Sequence, residues 1–398
     1  MKNAFETISS QAALKAAWTA KRTQLASSCF GVDRVGFDAF KHGLPSRLKQ
    51  LSERLRAGLK PHGLLAISKP KDNGGVRIIC VPTLSDRLVQ FGILEHLRPR
   101  LARLGLDNTV SFGLVPGRAR SVIGARQFAC GTRAERGWVY KTDIQKFFDN
   151  VDRNLLRASI RGSVPIRSLW TILDTFLDTE ISDGFDRDWR KIVANAGIQN
   201  GIGVRQGMPL SPFYAGVYLR DFDKWLIKNG IPAARYVDDI VAFFKTEAEA
   251  RMFHPLIAAK LESIGLKIGD LDDPTSKTKL YAPNEAADFL GMEIRETPQG
   301  YRLFVSDKTI SAIEAKLTKL ASAEAMFEKG IVLTTLGSYL SALSSGYKYA
   351  YDGAHNHDAF VNRILGCCDD LKRAILLELF GDRVDDLSSS QRRFVGID

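Results

Sequence analysis

Alanine and leucine recur at helical spacing from Gln11 to Leu25, and leucines return among arginines and lysines from Ser46 to Lys60, so residues 1–60 read as a basic helical lead-in. The period changes at His62. Two short apolar runs, LLAIS and VRIICV, flank the turn-rich KPKDNGG and predict a β-hairpin with a basic loop ending at Pro82, after which Leu84 to Leu97 is helical again. The run WVYKTD between Gly137 and Asp143 predicts a short strand ending in an acid. A helix is expected from near Asp149, carrying Val151, Leu155 and Leu156, and another from Ile166 to Leu177. The glycine-rich NAGIQNGIGVRQG then leads into a long helix whose first turn holds Ser211 and Pro212, residues favoured at helix starts. AARYV and IVAFF flank Asp238 and Asp239 so closely that only a tight turn fits between them, a hairpin with acids at its tip. Next come a helix from Glu247 to Ile264, a strand from Leu266, the basic SKTKL, and a hairpin around DFLGMEI and YRLFVS. Beyond Ser306 the pattern is helical, at Ile310 to Phe327, Leu333 to Tyr347 and Ala359 to Leu379. Strands alternating with helices, followed by an all-helical tail, predict an α+β catalytic part over residues 61–305 and a separate helical subdomain over 306–398.

Composition narrows the class. The 398 residues are 45% hydrophobic and 25% charged, ordinary for a soluble globular chain, and no stretch approaches the roughly 20 apolar residues of a membrane span. The first residues lack the charged and apolar regions of a secretory signal, so a cytoplasmic protein with no membrane partner is expected. Cys29, Cys80, Cys130, Cys367 and Cys368 form no C-x-x-C pair and read as reduced, mostly buried thiols. The net charge of +11 favours a polyanionic partner without specifying one.

Three acids stand out because of where they fall. Asp143 sits at a strand end, where an aspartate ordinarily caps a turn or helix. Asp238 and Asp239 are adjacent between apolar strands, where two carboxylates repel unless a cation or solvent screens them and where a turn ordinarily prefers Asn-Gly or Asp-Gly. Magnesium takes oxygen ligands, commonly one or two carboxylates together with substrate phosphates, so acids at strand ends suit it.

The string Tyr236-Val237-Asp238-Asp239 resembles the Y-x-D-D signature of reverse transcriptases, and further blocks follow the order of that family. Residues 143–149 (DIQKFFD) resemble motif A, residues 206–212 (QGMPLSP) motif B, and Phe289-Leu290-Gly291 the primer grip. Residues 75–82 with Asp86, Arg87 and Gln90 resemble the fingers block of group II intron-like bacterial enzymes. The resemblance spans Pro61 to Val305 and implies a right-hand polymerase fold, with fingers and palm built on antiparallel sheet and a helical thumb. It implies that Asp143 and Asp238 are the main ligands of two Mg2+ ions, with Mn2+ as a substitute, that Ile144 adds its carbonyl, and that Asp239 is the auxiliary acid. Phe148 takes the place of an aromatic gate against a 2′-hydroxyl, which makes dNTPs the substrates; its plain alternative is helix core, for which Phe147 is the better candidate. Lys69, Lys71 and Arg77 fall where the triphosphate is held, with a solvated loop as the alternative for the lysines. Gln206 and Gly207 would let the backbone approach nucleotide and template, or form a simple turn. Lys277 matches the lysine proposed to protonate the leaving pyrophosphate, or is a solvated strand lysine.

Residues 111–118 (SFGLVPGR) are similar to the G-F-R-P-G-R-S string of the group II-derived lineage, with Leu114 and Val115 in place of its aromatic and basic residues. Retron elements are absent and no RNase H, integrase, protease or HNH segment is visible. The resemblance therefore points to a stand-alone, defence-associated enzyme of unknown-group type that makes cDNA on a dedicated structured noncoding RNA. Ser46 to Lys60 and the C-terminal subdomain would hold that RNA. Arg118, Arg120 and Arg126 are either template contacts or, as the better reading, an exposed amphipathic face. A retron-like or intron-derived enzyme, an RNA-synthesising polymerase and a catalytically inactive polymerase-shaped scaffold are the alternatives. Oligomeric state, primer and trigger are not encoded in any recognisable form.

Overall fold

The computed structural model describes residues 3–70, 75–182, 187–384 and 386–391, with backbone alone at 187–189. In chain order the N-terminal part contains α1 (Ala4–Ile8), α2 (Gln11–Ala26), α3 (Phe37–His42), α4 (Leu44–Arg56), the strands β1 (Leu65–Pro70) and β2 (Val76–Val81), α5 (Leu84–Leu97) and β3 (Ser111–Phe112). Then follow α6 (Val122–Glu135), β4 (Trp138–Asp143), α7 (Phe147–Asn150), α8 (Arg153–Ser163), α9 (Trp170–Leu177), α10 (Arg187–Asn195) and α11 (Ser211–Lys228). The remainder comprises β5 (Ala233–Tyr236), β6 (Asp239–Phe244), α12 (Glu247–Glu262), β7 (Lys279–Tyr281), β8 (Ala287–Phe289), β9 (Met292–Thr297), β10 (Gly300–Phe304) and α13 (Asp307–Thr318), α14 (Ala323–Glu328), α15 (Leu333–Ala350) and α16 (His357–Phe380). The protein is α+β, and no described helix is long and apolar enough to cross a membrane.

The chain divides into two compact units, one of residues 1–121, 141–242 and 248–279, the other of residues 122–140, 243–247 and 280–398. In the first, β3, β5, β6 and β4 lie side by side in that order, with β3 parallel to β5 and β5 antiparallel to β6. Helix α11 is the hub of this unit. Buried residues from Phe213 through Leu219 occupy every face of it, the pattern of a helix enclosed by core rather than laid on a surface. Its two buried tyrosines find carbonyls, Tyr214 donating to Leu173 at 2.7 Å and Tyr218 to Ile264 at 2.5 Å, as phenols removed from water must. The β1–β2 hairpin pairs Leu65 with Val81 through Pro70 with Val76 and buries Ala66, Ile78 and Cys80 against Met208. In the second unit, β8, β9 and β10 form an antiparallel sheet beside α6, and α13 to α16 make the helical remainder.

Several predicted elements change on folding. The helix expected from Asp149 is two, because Asp152 accepts hydrogen bonds from the amides of Asn154 and Leu155 and so starts α8 afresh. The long C-terminal helix from Ile310 breaks after Thr318, and Ser322 caps α14. No strand starts at Leu266; that side chain is fully buried in a loop whose Lys267 carbonyl accepts from the Gln145 amide at 2.8 Å. Helices α6 and α10 occupy segments in which no element was expected. Of the five free thiols only Cys80 and Cys368 are buried, which corrects the expectation of mostly buried cysteines; burial pushes Cys80 up to about 12.

Candidate active site

The β5–β6 hairpin pairs Tyr236 with Asp239, leaving Val237 and Asp238 as a two-residue loop. Val237 is left-handed, with φ of +59°, where a β-branched residue carries strain of order 1–3 kcal/mol. Arg235 holds it there. Its guanidinium forks onto Asp223 of α11 (Nε to Oδ1 2.7 Å, Nη2 to Oδ2 2.6 Å) and donates to the Val237 carbonyl at 3.0 Å and to Ser111 Oγ at 3.1 Å. Both members of the pair are at most 2% exposed, so an arginine inside a buried strand is neutralised by an aspartate inside a buried helix. Gly113 seats the Tyr236 ring, since a Cβ there would lie 2.7 Å from a ring carbon.

The fold brings the three acids into one electrostatic neighbourhood. The Ile144 amide, next to Asp143 at the end of β4, donates to the Asp238 carbonyl at 3.1 Å, and Lys277 Nζ reaches Asp143 Oδ2 at 2.7 Å. Burial and then the charge of Asp143 push the Asp238 carboxyl above its usual range, against the opposing fields of Lys277 and Arg77. Burial and then Asp238 raise Asp239 to about 6. Among the described residues no three His, Cys, Asp or Glu side chains converge into a finished cage. A magnesium site completed by substrate phosphates does not need one. Half-buried oxygen donors that resist ionisation beside one another are the donor set a hard divalent cation fits, and the bond to Asp143 holds the Lys277 ammonium above its ordinary pKa in the meantime.

A cavity of about 670 Å³ lies among α2, α5, β2 and the start of α11, and none of the three acids lines it. Phe148, Gln206, Gly207 and Ile79 line it, and so do Lys21, Arg87 and Arg98, basic residues that the sequence reading did not place at the site. Phe147 is buried at 2% exposure, as expected of a core ring, while Phe148 is half-buried and reaches the cavity. Gly207, with φ of +105°, faces the hairpin strand: a Cβ would fall 2.7 Å from the Cys80 carbonyl, and the Cys80 amide donates to the Gln206 carbonyl at 2.7 Å. Its glycine is therefore required by the fingers hairpin. Lys69 and Arg77 are direct partners across β1 and β2, both exposed, and like charges so placed destabilise a ladder unless an anion joins them. Lys71 lies outside the described residues.

Phe289, Leu290 and Gly291 belong to the second unit, at the β8–β9 turn. Phe289 is buried, and Leu290 and Gly291 are both left-handed, with φ of +50° and +81°. Arg126 explains how the turn is kept. It is 5% exposed, donates from Nε to the Leu290 carbonyl at 3.0 Å and from Nη1 to the Ala350 carbonyl at 2.6 Å, and stacks over Tyr351. Neither a template contact nor an exposed face is correct for it, because its charge is spent on main-chain carbonyls. Arg118 is exposed, and Arg120 pairs with Asp107 at 3.2 Å.

The chain belongs to the reverse transcriptase (RNA-dependent DNA polymerase) family, whose model matches residues 67–294, more than half of its length. Its fold is accordingly that of the right-hand polymerases, with fingers, palm and a helical thumb. Among individual proteins, it is 25% identical over 307 residues to Protein YkfC of Escherichia coli (strain K12), covering 66% of this chain and 74% of that one. A chain of a partial Cas6-RT-Cas1–Cas2 complex shares 20% identity at a TM-score of 0.38 over 66% of this chain; the match spans only 42% of that longer chain. Telomerase from Candida albicans, solved with a fragment of telomeric RNA, shares 13% identity at a TM-score of 0.42 over 90% of this chain and 68% of that one.

Two outcomes are expected from this geometry. Replacing Asp223 with alanine strands the Arg235 charge in the core and lowers unfolding free energy by about 3–5 kcal/mol, measured by urea titration; a loss under about 1 kcal/mol would mean that water reaches Arg235. Because Asp239 titrates at about 6 in the folded chain and lower when unfolded, the folded state binds the extra proton and loses stability as pH rises through that interval. In metal-free buffer, Asp239→Asn is therefore more stable than the parent near about pH 7.5, and the gap narrows as pH falls through about 6 and closes below about pH 4. A gap independent of pH would refute the raised titration.

Proposed function

We propose that this protein synthesises DNA on an RNA template by two-metal nucleotidyl transfer. The observation that carries the reading is the placement of Asp143, at the end of β4, with Asp238 and Asp239, at the tip of the β5–β6 hairpin, in one mutually repelling group. Asp143 and Asp238, with the Ile144 carbonyl and Asp239 in support, would hold two Mg2+ ions, or Mn2+ in their place. Bound there, such a pair supplies activation of a primer 3′-hydroxyl and stabilisation of the leaving pyrophosphate.

The chain's own residues do the rest. Lys69 and Arg77, forced together across the hairpin, take the triphosphate of a dNTP, the arginine as a fork and the lysine as a point charge; Lys71 is assigned the same role from sequence. Phe148 puts a ring where a ribose 2′-hydroxyl would sit. Gln206 and Gly207 present backbone to the nucleotide. Lys277, whose ammonium lies 2.7 Å from Asp143, would donate a proton to the pyrophosphate. Phe289, Leu290 and Gly291 support the primer strand. Lys21 and Arg98, which share Glu95, offer positive charge to the RNA along the cavity wall, whereas buried Arg87 is spent on Ser28 and the Cys29 carbonyl.

The biological setting rests on the group II-like fingers block and the string around Ser111 to Arg118. It is antiphage defence in the cytoplasm, through cDNA made on a dedicated structured noncoding RNA that the Ser46 to Lys60 region and the C-terminal helices hold.

Asp238→Asn is expected to abolish magnesium-dependent primer extension while RNA binding, read by filter retention, changes less than about threefold, since an isosteric amide removes a ligand charge without altering shape. Extension at the parental rate would overturn the metal assignment. Phe148→Ala is expected to admit NTPs in the same assay, raising their incorporation relative to dNTPs by about tenfold or more. Sequencing the RNA and DNA that copurify from the native cell tests the setting: an unbranched or repetitive cDNA supports it, and a branched RNA–DNA product assigns the chain to the retrons.

A further inference from the structure

Just past α9, Glu180 receives four hydrogen bonds from three places. Its Oε1 accepts from the Gly201 amide at 2.8 Å and from Arg153 Nη1 at 2.7 Å; its Oε2 accepts from Arg205 Nε at 2.8 Å and Nη2 at 2.5 Å. Its backbone is fixed as well, the Leu64 amide at the root of the β1–β2 hairpin donating to the Glu180 carbonyl at 2.8 Å. The two arginines are 4% and 2% exposed and also donate to the loop before α11, Arg153 Nε to Gly203 at 2.8 Å, Arg205 Nη1 to Ile202 at 3.1 Å and Nη2 to Gln199 at 2.6 Å, while Arg153 Nη2 is buried without a hydrogen-bond partner among the described residues. Burial works against the Glu180 charge, yet the Gly201 amide and the two guanidiniums outweigh it and hold the carboxyl below its usual range.

This loop touches the proposed sugar gate directly. The Val204 amide donates to the Phe148 carbonyl at 2.7 Å and the Gly203 amide to the Val151 carbonyl at 2.9 Å. There is no slack between them, since a Cβ on Gly203, whose φ is +76°, would lie 2.6 Å from the Phe148 oxygen and 2.8 Å from that of Asp149. The Phe148 ring in turn rests on buried Phe147, with centroids 5.2 Å apart. On its other side the loop is tied to α11, where Ser211 Oγ donates to the Arg205 carbonyl at 2.6 Å, and to β2 through Cys80. The main chain of the gate is thus clamped between its own core and a loop whose shape is set by one carboxylate.

We propose that Glu180, acting through Arg153, Arg205 and the Gly201–Arg205 loop, is a positioning residue for the Phe148 gate and sets how strongly the pocket discriminates deoxyribose from ribose. The inference rests on the reading of Phe148 as that gate. It assigns sugar selectivity to a carboxylate that touches neither metal nor nucleotide. A loosened loop lets the Phe148 carbonyl shift, and a displacement of well under the width of a hydroxyl is enough to admit one.

The test measures kcat/KM for a dNTP and the matching NTP in the full chain, for Glu180→Gln, the charge-conserving Arg205→Lys, Phe148→Ala and the double variant Glu180→Gln/Phe148→Ala, each checked for a cooperative melt. Folded Glu180→Gln is expected to lose about tenfold of the dNTP preference, mainly through KM, and Arg205→Lys a smaller part of it in the same direction. In the Phe148→Ala background the Glu180 substitution is expected to change selectivity no further, which a general loosening of the fold would not reproduce. Should Glu180→Gln fail to melt cooperatively, Arg205→Lys decides alone. Parental selectivity in a folded Glu180→Gln or Arg205→Lys, or an additive loss in the double variant, would overturn the proposal. Unchanged selectivity in Phe148→Ala would instead remove the gate reading beneath it.

Discussion

The structure is organised around the repulsion among Asp143, Asp238 and Asp239. Two like charges about 4 Å apart near a protein surface oppose each other by roughly 4 kcal/mol, and burial adds to that. A turn assembled from such residues relaxes unless something fixes it. Here the fixing is done one layer down, by the Arg235 guanidinium that grips Asp223 and the Val237 carbonyl together, and by the bond from the Ile144 amide to the Asp238 carbonyl. The turn is held through its backbone, while the Asp143 side chain meets the Lys277 ammonium directly.

A second theme is the use of arginine inside the protein. Arg87, Arg126, Arg133, Arg153, Arg205 and Arg235 are all buried. Arg133, fully buried, donates to the carbonyls of Gly137, Ile294, Ala282 and Glu285, and Arg126 sits seven residues earlier on the same face of α6 holding the Leu290 turn. A planar fork with five donors can collect carbonyls from loops that no secondary structure satisfies, which a lysine cannot do. The net charge of +11 is therefore a poor measure of nucleic-acid affinity in this chain, because part of its basic excess is consumed as internal cement. Exposed cations such as Lys69, Arg77 and Arg98 are the ones able to release counterions from a polyanion.

Glycine at Gly203 and Gly207 has a related function. Each is left-handed, and each lets one backbone approach another closer than any side chain permits, Gly203 against the Phe148 carbonyl and Gly207 against Cys80. The loop between them joins Phe148 and β2 through main-chain atoms and α11 through the Ser211 hydroxyl.

From sequence alone came the elements with long, clean periodicity, among them α5, α11 and both hairpins, together with the acids at the β5–β6 tip, because local hydrophobic period and turn length are properties of neighbouring residues. The buried arginine in AARYV was a visible signal of an internal partner, but nothing local identifies Asp223, twelve positions earlier, as that partner. The clamp formed by Glu180, Arg153 and Arg205, the cavity lined by Lys21 and Arg98, and the true place of Arg126 were decided only by the tertiary structure. An arginine reads the same in sequence whether it faces a phosphate or a carbonyl, and which one it meets is settled by chain segments far away in the sequence.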